Sequence, residues 1–152
     1  MIIAAHTAEE YAAAEKLFRE YAAWLNIDLC FQSFEEELRQ LDEMYALPNG
    51  GIFLMKEEEL FTGCIAVRRK DAETAELKRM YIQPAYRRAG AGNMLLQKAL
   101  SLAKELGYKK IRLDTLATMV PAISLYKKVG FYEIEPYYFN PEKNAVFFEK
   151  LL

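Results

Sequence analysis

The sequence predicts a single mixed α/β (α+β) domain, with a mostly antiparallel central sheet of about seven strands flanked by four helices. Three observations predict it. Apolar residues recur at helical steps in some windows and alternate at strand steps in others, in the order β-αα-βββ-α-β-α-ββ. The three central strands follow one another through short polar turns, as in an antiparallel meander, whereas the next strand is set off by helices. The 152 residues, 53% hydrophobic and 28% charged, suffice for one core. No internal repeat, linker or low-complexity stretch interrupts them, so residues 1–152 are expected to form one domain.

Each element has a local cause. Residues 1–5, MIIAA, predict a short strand, and Thr7-Ala8-Glu9-Glu10 has the spacing of a helix capping box. Tyr11, Ala14, Phe18, Tyr21 and Leu25 then form one apolar stripe, so a helix runs to about Leu25. Ser33-Phe34-Glu35-Glu36 offers a second capping box, with Phe34, Leu38, Leu41 and Tyr45 at helical steps until Pro48-Asn49-Gly50-Gly51 stops the helix. Gly51 to Lys56, Leu60 to Lys70 and Ala75 to Gln83 are extended, joined by the polar turns Glu57-Glu58-Glu59 and Asp71-Ala72-Glu73-Thr74. An Arg-, Ala- and Gly-rich loop follows Pro84. Met94, Leu95, Ala99, Leu102 and Leu106 then mark a helix that Gly107 closes. Lys109 to Leu116 alternates Ile111 and Leu113 with charge, as a strand does. Val120 to Val129 is a shorter helix ending at Gly130, and Phe131 to Glu135 and Ala145 to Leu152 are the last strands.

Composition narrows the function. No apolar run approaches the ~18 residues of a membrane span. The opening residues lack the basic leader of a signal peptide, so a cytoplasmic protein without membrane contact is expected. Cys30 and Cys64 form neither a metal pair nor a disulfide framework, and His6 has no His or Cys at ligand spacing. No metal site is expected, and both thiols are taken as reduced core residues. The net charge of −2 hides an asymmetry: residues 1–66 carry 4 Lys/Arg against 13 Asp/Glu, and residues 67–152 carry 16 against 9. An anionic ligand is therefore expected on the second half. Nucleic acid is not, because the positive charge is scattered and not gathered into one basic helix or arm.

The chemistry concentrates in residues 81–93. Gly90 and Gly92, between a strand and a helix, let the backbone approach a ligand, and the unpaired N–H groups of a helix start favour an anion. Arg87 and Arg88 add positive charge where a pyrophosphate would lie. A Walker G-x-x-x-x-G-K-[ST] run is absent, and a dinucleotide G-x-G-x-x-G would need glycine at Leu95. From the glycines alone, a phosphate cradle and a plain turn with solvated arginines both stay open.

Two motifs together decide between them. Arg87-x-x-Gly90-x-Gly92 follows the strand Glu76 to Gln83, and Ala122-Ile123-Ser124-Leu125-Tyr126-Lys127-Lys128-Val129-Gly130-Phe131 follows one helix and one strand later. The pair resembles the GNAT superfamily of acetyl-CoA-dependent N-acyltransferases, in its [QR]-x-x-G-x-[GA] acyl-CoA loop and its A-x-x-L-Y-x-x-x-G-F segment. The resemblance spans residues 51 to 135 by motif, and the first fifty residues by strand-helix-helix order. It implies an N-acetyltransferase with acetyl-CoA as acyl donor. Arg87, Arg88, Ala89, Gly90, Ala91, Gly92 and Asn93 would bind the coenzyme A pyrophosphate, and Met80, Tyr81 and Ile82 would pair with the pantetheine amides as an added strand would. The donor would lie where two parallel strands, 75–83 and 109–116, splay apart. Tyr126 matches the family's general acid and would also touch the donor. Many members carry Asn seven residues before that tyrosine; Met119 stands there, so a hydrogen bond to the donor is missing or supplied elsewhere.

The implied reaction needs a base, because an amine with a pKa of about 10 is protonated near neutral pH. Glu76, eleven positions before Arg87, has a spacing similar to the glutamate base of histone-acetylating members, acting directly or through water. Its plain alternative is a strand carboxylate paired with Lys78 or Arg69. Tyr126 would protonate the leaving thiolate, with an aromatic anchor as the alternative, and a backbone N–H near Met80 or Tyr81 is the expected oxyanion donor. In the family the acceptor enters opposite the donor, which points to Phe31, Gln32, Tyr137, Tyr138 and Asn140 in two aromatic-polar loops. Such a lining suits a small-molecule amine or amino acid better than a basic peptide tail. A protein or peptide amine is the alternative acceptor, and a non-catalytic acyl-CoA binding or sensing module the alternative function. Many members are dimers, so a homodimer is an expectation by fold-level analogy.

Overall fold

The computed structural model describes residues 1–29 and 33–152. Helix α1 (Ala8–Leu25) begins at the expected capping box: Glu10 N–H donates to Thr7 Oγ1 at 3.1 Å, and Glu10 Oε1 accepts from Thr7 N–H at 3.0 Å. His6 is exposed and gives only its backbone N–H to the same carboxylate, at 2.8 Å. The second box does not form. Ser33 lies in the left-handed region at φ 56° and makes no side-chain cap bond, whereas a capping hydroxyl needs extended backbone behind it. Glu36 reaches forward to Arg39 (2.7 Å) and Gln40 (2.8 Å). The expected single helix breaks at Gln40 into α2 (Phe34–Arg39) and α3 (Leu41–Met44), giving five α-helices among the described residues where four were expected.

The strands are β1 (Ile2–Ala4), β2 (Gly51–Glu57), β3 (Leu60–Arg69), β4 (Thr74–Ile82), β5 (Lys110–Leu116), β6 (Tyr132–Ile134) and β7 (Ala145–Leu151). They form one sheet in the order β1-β2-β3-β4-β5-β7-β6, antiparallel throughout except for β4 and β5. The remaining helices are α4 (Ala91–Glu105) and α5 (Val120–Lys128).

Two apolar cores cover the two sheet faces. On one, Leu95, Leu96 and Ala99 of α4 and Tyr126 of α5 pack on Leu77, Leu113 and Phe148. On the other, Leu17 and Phe18 of α1, with Leu38, Leu41 and Tyr45, cover Ile52, Leu54 and Cys64. Cys64 is fully buried, and burial pushes its thiol well above the ordinary range; Sγ donates to the Arg79 carbonyl at 3.2 Å. Cys30 lies outside the described residues. Among the described residues no helix is long and apolar enough to cross a bilayer.

Candidate active site

The parallel pair opens into a seam. β4 and β5 are in register only at Thr74–Lys110, Ala75–Ile111 and Glu76–Arg112, while β5 stays paired with β7 along its whole length to Leu116. β5 therefore follows β7 away from β4. A β-bulge bends β4 within this stretch: Cys64 faces Tyr81 and Ala66 faces Lys78, so Arg79 and Met80 share the place opposite Ile65, with Arg79 left-handed at φ 59°. The extra residue turns two successive side chains, Lys78 and Arg79, toward the α1–α3 face.

At the open end of the seam the chain makes a 3-10 turn (Pro84–Tyr86), passes Arg87 in extended form, and enters α4 through Gly90 at φ 85°. A Cβ there would meet no atom within 4 Å, so glycine is required by the backbone angle and not by crowding. The first turn of α4 leaves donors over. Ala91 N–H bonds Arg88 O (3.1 Å) and Met94 N–H bonds Gly90 O (2.9 Å), but the N–H groups of Arg88, Ala89, Gly90, Gly92 and Asn93 have no acceptor among the described residues. These are the donors an anion at a helix start uses.

A cleft of about 360 Å³ joins this corner to the seam, walled by Met80, Tyr81, Ile82, Arg87, Gly92 and Leu125. It continues past Gly92 into a second hollow of about 590 Å³ between α4 and α5, bordered by Asn93 and Lys128. Arg87 is fixed by its Nε bond to Ile82 O at 2.7 Å and by stacking on Trp24, with the guanidinium carbon 4.4 Å from the ring centroid. Arg88 is exposed, and its guanidinium pairs with Glu57 at 2.7 Å. Glu57 thus has a partner, and Glu59, on the exposed turn, lies 3.9 Å from Lys56 Nζ.

Tyr126, one residue from the cleft wall at Leu125, is buried and packs edge-on against Phe131 at 5.6 Å. Burial, with smaller contributions from Tyr21 and Asp114, pushes its hydroxyl far above the ordinary tyrosine range, so it stays protonated.

The opposite face of the seam is polar. Glu76 is buried with both oxygens taken, one by Arg68 Nε (3.0 Å) and one by the Tyr137 hydroxyl (2.9 Å). Its strand partner is Arg68 and not Arg69, because the antiparallel register sets Arg68 directly opposite. Burial alone would raise its pKa, but Lys78, Arg68 and Tyr137 together hold it below the usual carboxylate value. Farther along the seam, Asp114 Oδ2 accepts from the Tyr138 hydroxyl and from Asn140 Nδ2 (3.0 Å), and Lys78 Nζ lies 3.9 Å from Oδ1. Lys78, Asp114 and Asn140 line a small cavity of about 40 Å³ with Leu25, Ile27 and Leu29. Glu76, Tyr137 and Tyr138 stand behind this wall, the two rings packed on Phe147. Phe31 and Gln32 lie outside the described residues.

Thus Met80–Ile82, Arg87, Arg88 and Gly92 line the cleft, Gly90, Gly92 and Asn93 border the second hollow, and Asn140 lines the small cavity across the seam, whereas Ala89, Ala91, Tyr126, Tyr137 and Tyr138 line none of the three. Asp114, Lys78 and Trp24 were not singled out from the sequence as site residues. Asp114 is one charge in an alternating strand, and its weight comes from partners 24 and 26 positions away.

Comparison with known proteins shows what the chain is similar to. The sequence profile of the acetyltransferase (GNAT) family matches residues 19–131. An uncharacterised N-acetyltransferase of Schizosaccharomyces pombe is 36% identical over 133 residues, 86% of this chain and 82% of its own length. One from Dictyostelium discoideum is 29% identical over 89% of this chain and 91% of its own. Among solved structures, an acetyltransferase from Streptococcus agalactiae superposes with a TM-score of 0.81 at 25% identity, covering 100% of this chain and 98% of that one. A GNAT acetyltransferase from Elizabethkingia anophelis with acetyl-CoA bound superposes with a TM-score of 0.59 at 24% identity over 75% of this chain and 82% of that one.

Proposed function

Because the chain belongs to the GNAT family of acetyltransferases, we propose that it transfers an acetyl group from acetyl-CoA to the primary amine of a small molecule by direct attack on the thioester. The observation that carries this is the row of unpaired N–H groups at the start of α4, which opens into the seam between β4 and β5.

The residues present fit the donor. The N–H groups from Arg88 to Asn93 would hold its pyrophosphate, and the unpaired edge of β4 near Met80–Ile82 would receive the pantetheine amides. Lys128, at the rim of the second hollow, would meet further phosphate charge. Bound acetyl-CoA supplies an acyl carbon activated as a thioester, whose sulfur needs a proton on leaving.

The chain's own groups do the rest. The bulge at Arg79 and Met80 takes backbone N–H groups out of the regular ladder, where one can stabilise negative charge on the acyl oxygen. Tyr126 holds a proton at Oη and gives it to the departing sulfur, and the second proton that the attacking nitrogen loses restores it. Of the carboxylates, Asp114 rather than Glu76 borders the acceptor cavity, so Asp114 takes the ammonium proton and passes it to solvent. Glu76 keeps Tyr137 and Arg68 in place behind it. The narrow cavity supports a small acceptor over a protein tail.

Two measurements test the reading. Coenzyme A should raise Tm in a concentration-dependent way, and acetyl-CoA should release free thiol when an amine is added. Stabilisation with no thiol release across small amines, lysine peptides and protein amines would leave a coenzyme A binding module instead.

A further inference from the structure

On the premise that the chain is the transferase argued above, the last turns of α1 serve the donor as well as the core. Helix α1 reaches the anion loop twice. Glu20 Oε1 accepts from Gln83 Nε2 at 2.9 Å, and one helical turn later the Trp24 ring stacks on the Arg87 guanidinium, whose carbon is 4.4 Å from the ring centroid. These contacts hold both ends of the 3-10 turn Pro84–Tyr86, Gln83 at its entry and Arg87 at its exit. The Tyr81 ring, 5.8 Å from the same guanidinium and 5.9 Å from the Trp24 ring, completes the group.

Arg87 keeps most of its donors for a ligand. A guanidinium carries its N–H groups in one plane, as a fork. Nε spends its own on Ile82 O at 2.7 Å, while Nη1 and Nη2 have no hydrogen-bond acceptor among the described residues. The ring stack fixes the tilt of that plane and the Nε bond its rotation, so the fork is set before an anion arrives. Arg88, next in the chain, is committed instead to Glu57 at 2.7 Å. Trp24 is 42% exposed and belongs to neither apolar core, so core packing does not account for its place, and it lines the donor cleft with Arg87. We propose that Trp24 is a positioning residue for the donor: it holds the Arg87 fork ready for the pyrophosphate, and so selects a thioester that carries a diphosphate over one with the pantetheine arm alone.

The test is a double-mutant cycle on coenzyme A affinity, read by titration calorimetry on the full chain with Trp24→Leu, Arg87→Met and the two combined. Each single change should weaken coenzyme A by roughly tenfold, the worth of one charge-assisted hydrogen bond, and the double variant should lose no more than Arg87→Met alone. Trp24→Phe, which keeps a ring against the guanidinium, should stay within about threefold of the unaltered chain. In thiol release, Trp24→Leu should raise KM for acetyl-CoA with kcat little changed, and leave kcat/KM for S-acetylpantetheine, which has no pyrophosphate, within about twofold. Losses that add in the double variant, or a Trp24→Leu variant that slows both thioesters alike, would overturn the role of Trp24 and leave the transferase standing. Absence of thiol release with every amine would overturn the transferase, while the cycle on coenzyme A affinity still decides Trp24; no binding of coenzyme A would overturn both. Should Trp24→Leu fail to fold, Trp24→Gln takes its place in the cycle.

Discussion

At the scale of single residues, burial decides what each titratable group is fit for. Tyr126 is buried in the core, and desolvation keeps the proton on its hydroxyl. A proton donor needs that state; a base does not. Tyr126→Phe removes the oxygen alone and leaves the edge-on contact with Phe131 intact. The expected outcome is a fall in kcat of about 10²-fold, typical of a lost general acid, with unchanged affinity for coenzyme A. Trp24 makes the second half measurable, because it is the chain's sole tryptophan and lines the donor cleft. Parallel losses in affinity and Tm with kcat retained would make Tyr126 an anchor of α5 and nothing more. The same logic separates the two carboxylates: Glu76 has spent its lone pairs on Arg68 and Tyr137, whereas Asp114 keeps Oδ1 toward the cavity.

At the scale of elements, the start of α4 is held against α5 by the absence of a side chain. A Cβ on Gly92 would sit 3.4 Å from Leu125 Cδ2, and Gly92 borders both hollows of the donor cleft. Gly92→Val should therefore weaken coenzyme A binding at least about tenfold, while better helix propensity offsets the tight contact and Tm stays within a few degrees. Titration followed by Trp24 fluorescence checks it, and unchanged affinity would mean that the donor bypasses this corner. Helix α4 was legible in the sequence because helical period is a local property, but it begins at Ala91, with Gly92 in its first turn, and not at Met94 where the apolar period starts. Also legible were the capping box of α1 and strand limits to within a residue or so. The seam was anticipated only through family resemblance, since its cause is the full-length pairing of β5 with β7. The bulge had no local signal at all: a non-glycine residue, Arg79, takes the left-handed conformation, and its side chain is held by Glu37, 42 positions away. The second capping box misled for the converse reason, as its spacing is right but its backbone is not.

At the scale of the whole molecule, the α1–α3 face is tied together by charge as well as by its apolar core. Arg68 on β3 bridges Glu76 on β4 (3.0 Å) and Glu37 on α2 (3.8 Å), and Glu76 holds Tyr137 from the loop before β7. Losing the charge on Glu76 should therefore loosen elements far apart in sequence at once. Its folded pKa lies below the ordinary glutamate value of about 4.5, so on acidification the unfolded chain takes up the proton first. The stabilisation is then complete above about pH 4.5 and is lost as the pH falls through the folded value. Glu76→Gln preserves shape and an acceptor for Tyr137 but carries no charge. Its Tm should lie below that of the unaltered chain by a constant margin from pH 7 to about pH 5, and the margin should close at lower pH. Calorimetric scans at each pH read this directly. A margin that persists undiminished to pH 3 would mean that the ionised carboxylate is not what joins these elements.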